Sequence, residues 1–454
     1  MRTEFDVIVI GMGVGGEEVA GRTADAGLDV LAVERQLIGG ECPYWGCIPS
    51  KMMLRAAHVL AEARRVPDLA GSVKVEPDWS PVAQRIREQA TDSWDDIVAV
   101  QRHESKGSVV VKGEASFTSP TEIEVDGGGY SARRGIVIAT GTSPAIPPIE
   151  GLSEVEFWTN REAIETKEVP SSLVVVGGGA VGAELAQVFA RFGASVTIVE
   201  MVDHLLPPEE PESGEALAAA LRSEGVDVRT GVVATRVERV SDGVTVYLSD
   251  GSSAAGEKLL VATGRTLNLA SLNLAAAGLD PEARWVEVDE HMRVTDGIWA
   301  VGDITGKALF THAAVYQGRI AAADILDQEH EPADYRALPR VTFTDPEVAG
   351  VGLTEKDARA QGVRVQIGTG KTSSSARGWL HGPGAEHGVT KLVADADEGI
   401  LVGASTVGPA AGEVLGLLLL AVKERTPIAH LRELIYPYPT FTRGIEDALR
   451  DLDL

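Results

Sequence analysis

Apolar residues in this chain gather in short, β-branched runs, and two of these runs empty into glycine clusters. Asp6-Val7-Ile8-Val9-Ile10 leads into Gly11-Met12-Gly13-Val14-Gly15-Gly16, then a helix-like stretch, then Leu28 to Val33 ending on Glu34. Leu173-Val174-Val175-Val176 leads into Gly177-Gly178-Gly179-Ala180-Val181-Gly182, then a second helix-like stretch, then Ser195 to Val199 ending on Glu200. The pattern predicts strand, tight turn, helix and strand in each copy. Each copy closes on a further apolar strand ending in Ala-Thr-Gly, Ile136 to Gly141 and Leu259 to Gly264. Another strand is expected at Gly297 to Asp303, and from about Pro339 strands and helices follow without glycine fingerprints.

In both copies the acidic residue lies 23 positions past the first glycine. That is the spacing of a dinucleotide-binding βαβ unit. The glycines allow a tight turn, close approach of a pyrophosphate to a helix N-terminus, and close helix–strand packing; the carboxylate accepts hydrogen bonds from a ribose. One such fingerprint is weak, because glycine-rich turns are common. Two with matching strands, spacing and terminal Glu are not. From first glycine to closing Ala-Thr-Gly, the first copy spans 130 positions and the second 87, so the first carries 43 more. The only two cysteines, Cys42 and Cys47, fall inside that longer interval. The strand at Gly297 to Asp303 implies that the second unit is inserted into the first.

Bulk properties narrow the classes. A chain of 454 residues suggests about three domains. The longest apolar run, Leu415 to Val422, has eight residues, which suits a buried helix and not a membrane span. The N-terminus has no basic segment followed by a cleavable apolar stretch, so no secretory signal is expected and a cytoplasmic location is. A formal net charge of −26 argues against nucleic-acid or anionic-membrane partners, which clustered Lys and Arg would serve. Two cysteines are too few for a disulfide scaffold, and zinc would need at least two further ligands nearby, so no metal site is expected. In an intracellular protein a close cysteine pair points to redox chemistry.

The cysteines lie in Gly39-Gly40-Glu41-Cys42-Pro43-Tyr44-Trp45-Gly46-Cys47-Ile48-Pro49-Ser50-Lys51, and Met52 to Leu60 reads as helix. Cys47 therefore falls near a helix N-terminus, where partial positive charge favours thiolate. A dithiol suits two-electron chemistry, since one thiolate attacks a substrate and the other resolves the mixed disulfide. A pair of buried packing cysteines is the bland alternative. The segment resembles the active-site signature of the class I pyridine-nucleotide-disulfide oxidoreductases, among them dihydrolipoamide dehydrogenase, glutathione reductase and mercuric reductase. The resemblance extends to both fingerprints, both Ala-Thr-Gly segments, Ala300 to Asp303, and Phe343 to Glu355, which is similar to the start of the family's dimer-interface domain.

The resemblance implies an α/β fold with two Rossmann-like dinucleotide-binding domains, for FAD and NAD, plus a C-terminal α+β dimerisation domain. The expected boundaries are 1–148 and 267–338 for the FAD-binding domain, 149–266 for the NAD(P)-binding domain and 339–454 for dimerisation. It implies that Gly11, Gly13, Gly16 and Glu34 hold the ADP part of FAD and that Asp303 meets its ribitol, with Gly40, Lys51, Ala115, Thr140, Gly141 and Ala313 as further cofactor contacts. Gly177, Gly179, Gly182, Glu200 and Gly264 would serve the pyridine nucleotide. Glu200, with no Arg in Met201 to Leu206, points to NADH over NADPH, because a carboxylate repels a 2′-phosphate. Cys47 would be the thiol beside the flavin, Cys42 the interchange thiol, and Lys51 would pair with Glu184 near flavin and nicotinamide. A homodimer follows, because the C-terminal motif would complete the partner's active site.

That motif is where the chain departs from the family. Disulfide-reducing members carry His-Pro-His-Pro-Thr-x-x-Glu, whose second His is the acid/base for the interchange thiol. Here the segment reads Tyr436-Pro437-Tyr438-Pro439-Thr440-Phe441-Thr442-Arg443. Tyr438 replaces the histidine and Arg443 the glutamate. Histidine titrates near neutrality, whereas an unperturbed tyrosine has a pKa of about 10. Glu446, one turn further on, reads as a solvated-face residue, and His381 and His387 as surface or structural. Three substrate readings follow: a disulfide or other thiol-reactive molecule; a metal ion, as in mercuric reductase, which also has a tyrosine at the histidine position; or divergent thioether cleavage with carboxylation. A structural subunit that merely keeps its flavin is the reading from another class, and the intact Cys42, Cys47 and Lys51 argue against it.

Overall fold

A computed structural model describes residues 3–453, which form two compact units. One comprises the chain up to Pro49 with Gln84–Ala145 and Arg265–Asp334; the other comprises Ser50–Ala83, Ile146–Gly264 and the chain from Tyr335.

The first unit is built on an eight-stranded sheet. Five of its strands are parallel, in the order Ile298–Ala300, Gly128–Ile138, Glu4–Ile10, Val30–Glu34, Val109–Lys112. Their β-branched composition follows from burial on both faces. Ile8, Ile10, Leu31, Val33, Ile136 and Ile138 point into one core. Val7, Val9, Val30, Ala32 and Val137 point into the other, against the helices Val14–Asp25 and Thr311–Ile325. Each Val, Leu or Ile fully buried in this way contributes on the order of 1.5–3 kcal/mol. The Ala-Thr-Gly segments lie just beyond the strand ends at Ile138 and Val261, where the Ala139 and Ala262 amides still donate to the Ile10 and Val176 carbonyls (both 2.8 Å).

The second unit contains a four-stranded parallel sheet, in the order Asp227–Arg229, Ser195–Val199, Ser172–Val176, Lys258–Val261. A three-stranded antiparallel sheet, Ala234–Val240, Gly243–Leu248 and Ser253–Gly256, accompanies it. The C-terminal part is a five-stranded antiparallel sheet, Pro339–Thr342, Glu347–Gly352, Ile400–Gly408, Val389–Asp395 and Val365–Lys371, packed on helices Ala411–Lys423 and Ile445–Asp451. Helix Ala411–Lys423 holds the apolar run from Leu415, with Val414, Leu415 and Leu418 in that core. Among the described residues no helix is long and apolar enough to cross a membrane.

Candidate redox site and nucleotide cradles

The two glycine fingerprints fold alike, residue for residue. Gly11 and Gly177 adopt φ of +92° and +109°, and a Cβ there would lie 2.5 and 2.3 Å from the carbonyl oxygens of Ala139 and Ala262. Gly16 and Gly182 pack so tightly that a Cβ would meet the Gly11 and Gly177 oxygens at 2.0 Å. Gly13 and Gly179, at the N-caps of their helices, face open space. Each unit thus keeps one bare approach to a helix N-terminus between two glycines required by packing. The acidic residues are held in the same way. Glu34 accepts from the amides of Met12 (2.8 Å) and Gln36 (2.7 Å); Glu200 accepts from those of Gly178 (2.6 Å) and Val202 (2.9 Å). Both carboxylates are fixed by the turns they serve.

In the first unit, Cys42 sits in the short helix Glu41–Trp45 and Cys47 opens the helix Cys47–Leu69. Pro49 falls in that helix's first turn, where an amide has no intrahelical acceptor. The cysteines are not joined in a disulfide. Cys47 Sγ lies 3.2 Å from the Thr311 hydroxyl, at the first residue of helix Thr311–Ile325. The Cys42 thiol is pushed far above its ordinary value by its hydrogen bond to Cys47, then by burial, then by the negative charge of Cys47. The two thiols are therefore coupled, and these causes hold the proton on Cys42. Nearby in the same unit, the Thr142 hydroxyl donates to Asp303 (2.6 Å) and accepts from Arg265 Nε (2.7 Å). Burial raises the Asp303 carboxyl, and the Thr142 bond and Arg265 charge offset part of that rise. Of the other expected contacts, Gly40, Thr140, Gly141 and Ala313 belong to this unit, and the Thr140 hydroxyl is buried with no hydrogen-bond partner. Ala115 packs into the apolar core, which leaves only its backbone for a cofactor.

In the second unit, Lys51 Nζ meets both Glu184 oxygens, at 2.7 and 3.1 Å. Glu184 is only 6% exposed and also accepts the Phe343 amide at 2.8 Å, while Lys51 Nζ stands 4.9 Å from the centre of the Phe343 ring. Helix Ala180–Arg191 continues this grip along one face. Gln187 exchanges two hydrogen bonds with the Asp345 backbone (2.7 and 2.8 Å), and Arg191 reaches the Asp345 carboxylate at 2.8 Å. Arg65 meets the same carboxylate at 2.7 Å. Glu184, Gln187 and Arg191 thus form a bracket around Phe343 to Asp345. Within it the Asp345 carboxyl is held below its ordinary value: burial would raise it, and Arg191 and Arg65 outweigh that.

Residues 5–318 match the pyridine nucleotide-disulphide oxidoreductase family, and residues 338–449 match that family's dimerisation domain. The chain belongs to this family. It is 36% identical to dihydrolipoyl dehydrogenase from Thermus scotoductus, covering 99% of this chain and 97% of that one. It is 33% identical to mercuric reductase from Bacillus cereus, covering 99% of this chain and 72% of the other. Among solved structures it is similar to LpdA from Mycobacterium tuberculosis (TM-score 0.85, 27% identity, 99% of both chains). It is also similar to the Cu(II) complex of the HOCl-induced flavoprotein disulfide reductase RclA from Escherichia coli (TM-score 0.84, 26% identity, 99% of both chains). The chain is therefore a flavoprotein disulfide oxidoreductase, dihydrolipoyl dehydrogenase-like and α/β in fold, and its dimerisation domain implies a homodimer. FAD and a pyridine nucleotide are the cofactors that this family implies. The open N-caps at Gly13 and Gly179, the fixed carboxylates of Glu34 and Glu200, and the orphaned Thr140 hydroxyl fit two dinucleotides.

The C-terminal segment, which departs from the family's pattern in sequence, is held by contacts within its own turn. Tyr438 is 68% exposed, and the Arg443 guanidinium lies 4.9 Å from its ring centre. Arg443 Nε pairs with Glu446 at 2.9 Å. Glu446 is therefore not simply a solvated-face residue; helical spacing brings it back onto Arg443. His381 packs edge-on against Phe441, with centroids 5.5 Å apart, which is a structural contact. Sequence reasoning missed Thr142, Arg265, Thr311, Gln187, Arg191 and Arg65. Only Phe343 and Asp345 had a signal, as part of a recognised segment whose contacts it did not reveal.

Proposed function

We propose that this enzyme passes electrons from NADH through flavin to Cys42 and Cys47, and from them to a disulfide or thiol-reactive substrate. The observation that carries the reading is the position of the Cys47 sulfur, at the start of a helix, 3.2 Å from the Thr311 hydroxyl and hydrogen-bonded by Cys42. FAD, when bound, supplies the two-electron link between nicotinamide and the dithiol. The protein contributes the rest. NADH and one proton reduce the Cys42–Cys47 disulfide to a dithiol and leave NAD+. The Cys42 sulfur then attacks a substrate disulfide, one substrate thiol departs with a proton, and Cys47 attacks the Cys42 sulfur of the mixed disulfide. The second substrate thiol leaves and the enzyme disulfide is restored, so two electrons and two protons reach the substrate. Helix-terminal charge and Thr311 favour negative charge on Cys47.

Lys51 and Glu184 are assigned to the flavin and nicotinamide side, Gly11, Gly13, Gly16, Glu34 and Asp303 to FAD, and Gly177, Gly179, Gly182 and Glu200 to NADH. Preference for NADH rests on the Glu200 carboxylate, which two amides hold where a 2′-phosphate would need a cation. We assign 1–148 and 267–338 to the FAD-binding domain, 149–266 to the NAD-binding domain, 339–454 to dimerisation, and a cytoplasmic location to the enzyme. Anaerobic titration with NADH tests the core of the reading. A long-wavelength thiolate-to-flavin band is expected, and a protein with full FAD that never develops it refutes the dithiol route.

A second reading, reduction of a thiolate-bound metal ion, is favoured by one observation. Tyr438 is exposed and is met by Arg443, so no near-neutral acid/base stands at the histidine position. Metal reduction needs none. Its support also includes similarity to mercuric reductases and to RclA, whose structure was solved with Cu(II). Steady-state turnover with lipoamide, glutathione disulfide, Hg(II) and Cu(II) separates the two, and rapid lipoamide turnover would exclude the second.

A further inference from the structure

We propose a divalent-metal site of the zinc class at His291, Asp324 and His330, in the first unit and outside every residue assigned above. One ligand atom from each of the three lies within 4.8 Å of the others. They come from a turn, a helix end and the loop that follows it. Asp289 builds the turn, its side chain accepting the amides of His291 (2.8 Å) and Arg293 (2.9 Å). Asp324 lies in the last turn of helix Thr311–Ile325. The loop is tied back to the turn by the Ala333 amide on the Glu290 carbonyl at 2.8 Å.

The orientation of His330 and Asp324 is that of ligands more than of a structural hydrogen bond. His330 directs Nδ1 to the Glu331 carbonyl at 3.0 Å. That bond fixes the tautomer with a lone pair on Nε2, as an outer partner does for metal-bound imidazole. Nε2 then faces Asp324 Oδ1 at 3.7 Å, too far for a hydrogen bond. Ligands about 2.0–2.1 Å from a tetrahedral ion lie roughly 3.3 Å apart, so this pair needs a closure of a few tenths of an ångström, and His291, within the 4.8 Å bound, a side-chain shift of up to about 1.5 Å. His291 crosses His330 nearly edge-on, with ring centroids 5.0 Å apart at 81°, and its Nδ1 is buried with no hydrogen-bond partner.

Asp324 is already held from behind. Arg293 Nε (2.5 Å) and Trp299 Nε1 (2.7 Å) both donate to Oδ2, while Oδ1 receives only the Arg293 NH2 group at 3.0 Å. The oxygen with the lighter load is the one His330 faces. Arg293 adds a positive charge, but Asp289 and Asp296 surround it along with Asp324, so the neighbourhood stays net negative. Two imidazoles and one carboxylate, with water completing the shell, suit a borderline ion such as Zn2+ better than Mg2+ or Ca2+.

Zn2+ titration of the chelator-treated, desalted holoenzyme in its disulfide form tests the site, since oxidised Cys42 and Cys47 cannot then serve as thiolate ligands. We expect one ion per chain, with affinity reduced at least about tenfold in His291→Ala and in His330→Ala. Co2+ should give d–d bands to the red of the flavin absorption, and these should vanish in the double variant. Both histidines are partly exposed, and flavin content together with NADH-dependent turnover verifies that the variants fold. No uptake below about millimolar Zn2+, or uptake that neither substitution weakens, overturns the site.

Discussion

Glu184 is 6% exposed and meets Lys51 and the Phe343 amide, whereas Tyr438 is 68% exposed and is met by Arg443. Both belong to the second compact unit, and both occupy positions at which the family handles charge. The bracket around Phe343 to Asp345 fixes Glu184 through a chain of partners: Gln187 on the Asp345 backbone, Arg191 and Arg65 on its carboxylate. The C-terminal turn holds Tyr438 through a cation over its ring, itself tied to Glu446 one turn away. The Glu184 side is thus built on groups that constrain one another, while within a single chain the Tyr438 turn rests on short-range contacts. A site with few constraints can change its proton chemistry without disturbing the fold, and Tyr438 and Arg443 are two such changes.

Removing the bracket's central charge should break this contrast most severely. Asp345→Ala removes the carboxylate shared by Arg191, 2% exposed, and Arg65, leaving Arg191 with Glu224 and Arg65 with Glu62, so the loss falls at the lower end of the range for a broken buried pair. Breaking a buried pair from one side costs about 3–5 kcal/mol. Urea unfolding should show that loss, with a cost for Tyr438→Ala several-fold smaller. Equal costs for the two would mean that the bracket is no more constrained than the exposed turn.

Acid should attack the same region next. His58, on helix Cys47–Leu69, has a buried Nε2 without a hydrogen-bond partner. Burial, then the charge of Arg191, pull its pKa down from 6.5 to about 4, with Asp345 opposing and Arg55 and Arg65 assisting. Between those values the unfolded chain binds a proton that folded His58 refuses. Stability is therefore full above about 6.5 and falls as pH drops toward 4, by up to ~3 kcal/mol. Asp345, its pKa depressed, adds a loss in the same direction at lower pH, as the solution falls through its folded value. Unfolding free energies between pH 7 and 4 should slope downward in the wild type and flatten in His58→Gln. An unchanged slope would assign the effect to other groups.

The exposed turn invites the opposite experiment, a gain. Tyr438→His combined with Arg443→Glu restores the family's acid/base pair, and a general acid/base contributes typically 10²–10⁴-fold. We expect lipoamide turnover to rise by about 10²-fold, at the lower end of that range, because the surrounding turn evolved without the pair. Flavin reduction by the pyridine nucleotide, assigned above to the Lys51–Glu184 side, should not change. If lipoamide turnover is already rapid in the wild type and the double variant gains nothing, the acceptor side does not lack proton handling.

The sequence disclosed the two sides unequally, for physical reasons. Both glycine turns were readable because their signals are local: β-branched apolar runs, a positive-φ glycine and a carboxylate at fixed spacing from it. The equivalent grip of Glu34 and Glu200 by turn amides confirms how much those few residues determine. Lys51 and Glu184 lie 133 positions apart and became candidates only through resemblance. The bracket stayed hidden because Arg65 and Asp345 are separated by 280 residues, and nothing in a helix sequence says which distant loop its polar face will meet. Arg443 and Glu446 are the reverse case. Their three-residue spacing was visible, and reading Glu446 as merely solvated overlooked a pairing that helix geometry favours. The cluster of His291, Asp324 and His330 had no recognisable ligand spacing, since a helix and two turns bring it together.

The smallest expected effect concerns Arg443 itself. Its guanidinium, 38% exposed, pairs with Glu446 and lies over the Tyr438 ring. Exposed ion pairs contribute about 0.2–1 kcal/mol, and exposed cation–π contacts about 0.5–1 kcal/mol. Arg443→Ala should therefore lower unfolding free energy by no more than about 1–2 kcal/mol, and by less in high salt, which screens the Glu446 pair. Arg443→Lys keeps the charge but loses the planar fork, and should retain part of the stability. Because Glu446 already neutralises Arg443, an anionic substrate gains little from it, and KM for a carboxylate-bearing disulfide should shift less than threefold by the same weak-pair reasoning. A large rise in that KM with unchanged stability would instead make Arg443 a substrate-binding residue, and the exposed turn would then be a recognition site as well as a place of relaxed constraint.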